Sequence, residues 1–229
     1  MKNDFELAGR RCHTYTVGDG GPVVFWGTMS GSKDADEMIA LIQQSEDEME
    51  SFTLFAYECD DWFSDFSPWS FDAGFQKFGD GGPALRDWIV NEAIPYADEE
   101  FPRNNGYATA GYSLAGLFAL WVYYDTGIFN GVACCSGSLW FEGWDKYADG
   151  AKGPDNGVVY MSLGGKEPGS GNALTASIGV QYHKQKKRIE KDSKLRAFNF
   201  VTNSGGHFSD PNGRVLKGLK WLVDELSVY

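Results

Sequence analysis

Segments that read as strands recur along the chain, at residues 11–17, 23–26, 52–58, 107–111, 131–135, 158–163 and 195–202. Several are apolar nearly throughout, as strands covered on both faces are. Segments with a helical period lie between them. Residues 34–44 put Met38, Leu41 and Ile42 on one face, with Ser32 ahead of them as a cap. Residues 83–99 carry Leu85, Trp88 and Ile89 as a buried stripe. The proline at the start suits a first helical turn, and Pro95 should kink or interrupt the helix. Residues 114–124 predict an apolar helix. Residues 173–191 are polar, and their basic run from Lys184 to Arg188 reads as a solvated face. Asp210 and Pro211 look like the cap and first turn of a closing helix to Leu226. Strands alternating with helices, without a repeat or a linker, predict an α/β fold in one domain over residues 1–229. Its sheet should be mostly parallel, with helices on both faces.

Two stretches escape this periodicity. Residues 59–82 are irregular and aromatic, with Trp62 and Trp69, and residues 136–150 form a second aromatic loop with Trp140, Phe141 and Trp144. Long irregular segments in compact domains are usually functional. Trp62, Trp69 and Trp140 are therefore candidates for the border of a substrate cleft. The alternative is that Trp62 and Trp69 only cover the edge of the core.

Composition narrows the partners. A formal net charge of -12 argues against nucleic acid and anionic membrane surfaces, and makes strongly anionic substrates a poor match. Aromatics at 15% are enough to line a cleft as well as fill a core, and exposed ones can also make a homo-oligomer surface. No segment approaches the roughly 18 apolar residues that span a bilayer, and the first residues lack a signal-like apolar core. Cys134 and Cys135 are adjacent on a strand and point to opposite faces, so the four cysteines read as buried reduced thiols of a cytoplasmic protein. There is no Cys-x-x-Cys or His-x-x-x-His pair to support a metal site, and no phosphate-binding glycine loop.

The chemistry gathers around Gly111-Tyr112-Ser113-Leu114-Ala115-Gly116, where a strand turns sharply into a helix. Small residues around Ser113 allow the close backbone approach that such a turn demands, and the hydroxyl then projects beside helix N-terminal amides. A bland reading is a serine cap on the following helix. What favours a nucleophile is the arrival, in order and each after a predicted strand, of Glu167 and His207. In such sheets ligands sit beyond the carboxyl ends of the strands. A serine hydroxyl is a weak nucleophile near neutral pH, so an imidazole must take its proton, and a carboxylate must orient and stabilise that imidazole. His207, after two glycines, is the base; His13 lies on an opening strand and His183 on a polar helix face. Glu167 is preferred as the acid over Asp155, which precedes its strand, Asp192, on or after a helix, and Asp210, a cap. The oxyanion needs two backbone donors. Leu114 N–H supplies one, and Gly27 or Thr28, after the strand at 23–26, should supply the other. Gly27 would turn bare backbone toward the substrate, unless it is an ordinary loop glycine.

Over most of its length the chain resembles the esterases related to esterase D, S-formylglutathione hydrolase and enterochelin esterase. The resemblance rests on Gly111-Tyr112-Ser113-Leu114-Ala115-Gly116-Leu117-Phe118-Ala119-Leu120, Cys134-Cys135-Ser136-Gly137-Ser138-Leu139-Trp140, Leu163-Gly164-Gly165-Lys166-Glu167 and Gly206-His207-Phe208. It implies an α/β-hydrolase fold without a large lid, with Ser113 as nucleophile, Glu167 as acid and His207 as base. It also implies ester hydrolysis without a cofactor. The segment from Asp61-Trp62 to Pro68-Trp69 looks like a loop of less characterised bacterial members. Trp26-Gly27-Thr28 departs from the usual His-Gly-Gly type of oxyanion loop. The missing lid and N-terminal sandwich domain weigh against the large siderophore substrates of the enterochelin group. The expected activity is a serine esterase on a small neutral acyl ester or acylated sugar. Its rivals are acyl transfer by the same three residues and a non-catalytic binding or assembly module.

Overall fold

Strands that are apolar on both faces must be covered on both, and that demand organises the molecule. The computed structural model describes residues 2–227. The strands are β1 (Lys2–Leu7), β2 (Arg10–Val17), β3 (Gly21–Met29), β4 (Phe52–Cys59), the short hairpin β5 (Phe71–Asp72) and β6 (Lys77–Phe78), β7 (Asn104–Tyr112), β8 (Gly131–Cys135), β9 (Val158–Gly164) and β10 (Ala197–Asn203). All but the hairpin share one sheet, in the order β1-β2-β4-β3-β7-β8-β9-β10. From β4 to β10 neighbouring strands are parallel. At the other edge β2 is antiparallel to β4, and β1 to β2. The fold is the expected α/β type with a mostly parallel sheet, and the described residues include no large lid domain. The edge strand β1, polar at most positions, has no counterpart in the periodicity.

The helices are α1 (Asp34–Gln44), α2 (Trp62–Asp65), α3 (Gly82–Trp88), α4 (Ile94–Glu100), α5 (Ser113–Thr126), α6 (Trp144–Gly150), α7 (Ala173–Ala176), α8 (Ile178–Ile189) and α9 (Pro211–Ser227). Helices α1 and α9 cover one face of the sheet, with Met38, Ile42, Leu219 and Leu222 in the core there. Against the other face lie α3, α4, α5, α6 and α8, contributing Leu85, Ala97, Phe118, Trp144 and Tyr182. Cys134 belongs to the second core and Cys135 to the first, as their alternation on β8 requires. All four cysteines are free and buried. Burial pushes the thiols of Cys134 and Cys135 up to about 12, so they are packing residues rather than nucleophiles.

Pro95 does interrupt its helix. Lacking an N–H, it stands at the start of α4, and a π-helical turn over Ile89–Ala93 joins α3 to α4. The long polar helix of the sequence divides into α7 and α8 at Ser177. Asp210 performs its capping task by accepting from the Gly213 N–H at 3.1 Å.

Candidate active site

Ser113 stands where β7 becomes α5, at φ 57°. The small residues around it are there for space. A Cβ on Gly111 would lie 2.1 Å from the Ala115 carbonyl oxygen, and one on Gly116 would lie 3.0 Å from Gly137 Cα. Leu114 follows in the first helical turn, where amides have no acceptor within the helix. Glu167 lies three residues beyond β9, in a short 3₁₀ turn. His207 lies in the loop between β10 and α9. Three loops at the carboxyl ends of parallel strands thus converge.

His207 Nε2 is 2.9 Å from Ser113 Oγ, and Nδ1 is 2.9 Å from Glu167 Oε2. Hydroxyl, imidazole and carboxylate are thus joined in a line through the two ring nitrogens. The other carboxylate oxygen, Oε1, is saturated. It accepts from Ser136 Oγ at 2.7 Å, the Gly164 N–H at 2.7 Å and Arg214 Nη1 at 3.1 Å. Burial by itself would push the Glu167 carboxyl up; hydrogen bonds from His207, Ser136 and Gly164 outweigh it and hold the group below the usual carboxylate range. Gly164 is required beside it, since a Cβ there would stand 2.7 Å from Glu167 Oε1 and 2.8 Å from the Gly205 carbonyl oxygen.

The serine opens onto a cavity of about 800 Å³. Its wall is mainly aromatic, with Trp62 from α2, Phe75 and Phe78 from the β5–β6 hairpin, Trp140, and Phe208 at the rim. Ser113, Leu114, Glu167, His207, Trp62 and Trp140 from the sequence reading all reach this cavity. The others do not. Trp69 packs against Phe141 and Tyr147 and donates its indole N–H to the Glu142 carbonyl at 2.7 Å, so it braces the second aromatic loop from behind. Gly27 is a buried strand position rather than part of a loop. Strand β3 continues through it to Met29, and the space where a side chain would project holds the Phe66 ring, 2.4 Å from a built Cβ. Thr28 is buried beside it, its hydroxyl donating to the Tyr57 carbonyl at 3.3 Å. Neither residue lines the cavity.

Sequence reasoning missed Tyr112, Ser136 and Arg214. Arg214 is 1% exposed. The signal for it was present: Arg214 stands on the same stripe of α9 as Gly218 and Leu222, and a charge on an apolar face needs a partner. Among the described residues no group of three or more His, Cys, Asp or Glu side chains is disposed to hold a metal ion. No helix is long and apolar enough to cross a membrane.

The Putative esterase family matches residues 8–208. The chain belongs to this family. It is therefore a carboxylic ester hydrolase, and the match runs from before β2 to just beyond His207. No curated protein matches the esterase in sequence. Solved structures share its fold at low identity. The siderophore hydrolase EstA from Aspergillus nidulans is 13% identical with a TM-score of 0.72, over 98% of this chain and 93% of that one. An IroE-like serine hydrolase from Shewanella oneidensis is 16% identical with a TM-score of 0.78, over 98% and 80%. The enterobactin esterase FES from Shigella flexneri is 15% identical with a TM-score of 0.62, over 99% of this chain and 59% of that one.

Proposed function

We propose that the esterase works through an acyl-enzyme on Ser113, with His207 as general base and acid and Glu167 orienting it. The observation that carries this reading is the pair of 2.9 Å contacts made by the two ring nitrogens of His207. Ser113 Oγ attacks the ester carbonyl as His207 Nε2 takes its proton. The tetrahedral intermediate collapses as the imidazolium gives that proton to the leaving alcohol. Water, deprotonated by the same nitrogen, then attacks the acyl-enzyme and frees the acid. The Leu114 amide is one donor to the oxyanion. A second donor from Gly27 or Thr28 has less support, since both are buried and neither lines the cavity.

The substrate is a neutral ester with an apolar group on one side. Among the described residues Lys166 is the cavity's charge without an ion-pair partner, Glu167 being engaged by His207 and Arg214. A small acyl ester or acylated sugar fits this chemistry. The aromatic wall and the cavity volume favour a bulkier apolar group within that class. A siderophore ester also fits a domain of this extent, because the siderophore hydrolase EstA is matched over 93% of its chain. One hydrolase domain is supported by the eight strands that share a sheet, and a cytoplasmic location by the four buried free thiols.

The test is to treat the protein with a fluorophosphonate probe, map the adduct by mass spectrometry, and assay p-nitrophenyl butyrate and benzoate with wild type and Ser113→Ala. An adduct on Ser113, with turnover lost in the variant, is expected. A wild type that neither labels nor exceeds the variant would reduce the chain to a binding module.

A further inference from the structure

The catalytic serine, acid and base come from three loops that share no covalent restraint closer than the strands behind them. Something must hold those loops in register to a fraction of an ångström. The hydrogen bonds around Arg214 identify it. Nη2 donates to the carbonyls of Ser204 and Gly206, both at 2.9 Å, which occupies its two hydrogens on the segment leading into His207. Nη1 shares its two hydrogens among Glu167 Oε1 at 3.1 Å, Ser136 Oγ at 3.1 Å and Tyr112 Oη at 3.0 Å. Tyr112 immediately precedes the nucleophile, and its hydroxyl donates to the carbonyl of His207 itself at 2.5 Å. One planar guanidinium therefore touches the elbow strand, the acid, the loop after β8 and the segment that carries the base.

We propose that Arg214 is a positioning residue of the esterase, the tie that sets the His207 loop and the Glu167 carboxylate against the elbow; this rests on the hydrolytic reading above. Three features argue for that role over simple burial of a cation. Its donors go to groups beside the reacting atoms rather than to surface carboxylates. Two of its acceptors are main-chain carbonyls, whose positions dictate where the His207 Cα stands. Finally, Gly164 leaves the gap through which the arginine reaches the acid, since a Cβ there would be 2.9 Å from Nη1. Arginine suits the task because its fork is rigid and planar. A lysine offers its donors from a single point and cannot serve both the carboxylate and the two carbonyls.

Arg214 touches no substrate, so its loss should act on kcat through misplacement of the imidazole and leave substrate binding nearly alone. Misplacing a catalytic group by about an ångström costs on the order of 10²-fold. The experiment compares wild type, Arg214→Lys and Arg214→Ala with p-nitrophenyl butyrate. Circular dichroism and thermal melting report the folded fraction, and fluorophosphonate labelling of Ser113 runs alongside. In both variants kcat per folded molecule should fall on the order of 10²-fold, with KM changed less than about threefold. Guanidinium chloride at millimolar concentration should restore part of the lost kcat in Arg214→Ala, while sodium chloride at equal ionic strength should not. The vacated space lies beside Tyr112, Ser136 and Gly206, which line the catalytic cavity and give the ion a way in. Folded Arg214→Lys with wild-type kcat would overturn the proposal. So would losses that merely follow the folded fraction, or failure of both variants to fold, since the residue would then be structural. A wild type without turnover or labelling would overturn the hydrolytic reading and this one with it; an active wild type beside an unaffected Arg214→Lys would overturn this one alone.

Discussion

Ser113 at φ 57° occupies a region that costs a non-glycine residue roughly 1–3 kcal/mol, and Ser136, at φ 45°, stands in the same region beside it. Ser136 bonds to Glu167 and Ser113 to His207, so the strain is located at the proposed catalytic site. Under the proposed mechanism the site depends on the ionisation of Glu167. Its side chain is 4% exposed and its native pKa lies below the ordinary glutamate value of about 4.3. A depressed carboxylate contributes stability that is fully present above the unfolded pKa and is lost as pH falls through the native one. Glu167→Gln should therefore be less stable than wild type at neutral pH, and the gap should narrow as pH falls below about 4.3, where the unfolded carboxyl protonates first and the native one after it. Urea unfolding at a series of pH values checks this; a gap independent of pH would mean that the carboxylate's charge contributes nothing.

At the scale of elements, the stretch between β4 and α3 is where cleft and core meet. Asp61 caps α2 by accepting from the Ser64 N–H at 3.1 Å, and one turn on, Phe66 is buried over Gly27 while Trp62 faces the cavity. Trp62 and Phe66 also pack edge to face, with ring centroids 4.8 Å apart. A methyl at Gly27 would overlap two Phe66 ring atoms, at 2.4 and 2.5 Å, so the ring and with it α2 must move. Gly27→Ala should cost about 1–3 kcal/mol, as overpacked cores do. It should also raise KM several-fold for an aromatic ester, through displacement of Trp62. Wild-type KM together with wild-type stability in that variant would show that Phe66 yields without carrying α2 along.

For the whole molecule the governing quantity is a net charge of -12 set against Lys166 in the cavity lining, which has no ion-pair partner among the described residues. That field repels anionic substrates over a distance that salt shortens, about 10 Å at 0.1 M. The KM for an ester bearing a free carboxylate, such as a monosuccinyl ester, should exceed that of its uncharged butyryl counterpart and fall as sodium chloride rises. KM for the uncharged ester should stay flat. A preference for the anionic ester at low salt would assign Lys166 a dominant local role.

Local pattern was enough for the α/β alternation, for the strand at Gly131–Cys135, for the interruption at Pro95 and for the order of Ser113, Glu167 and His207 after their strands, because each depends on neighbours within a few residues. It could not supply β1, whose polar face pairs only with β2, or the burial of Gly27 under a ring 39 positions away. Nor could it tell Trp62 from Trp69, two residues of the same irregular loop that end on different sides of it. Arg214 was beyond it for the same reason: a buried cation is identified by its partners, and those of Arg214 come from β7, the loop after β8, the turn after β9 and the loop before α9. The amino-acid sequence determined which residues could do the chemistry. Only the packing of the two helical layers on one twisted sheet decided which of them meet.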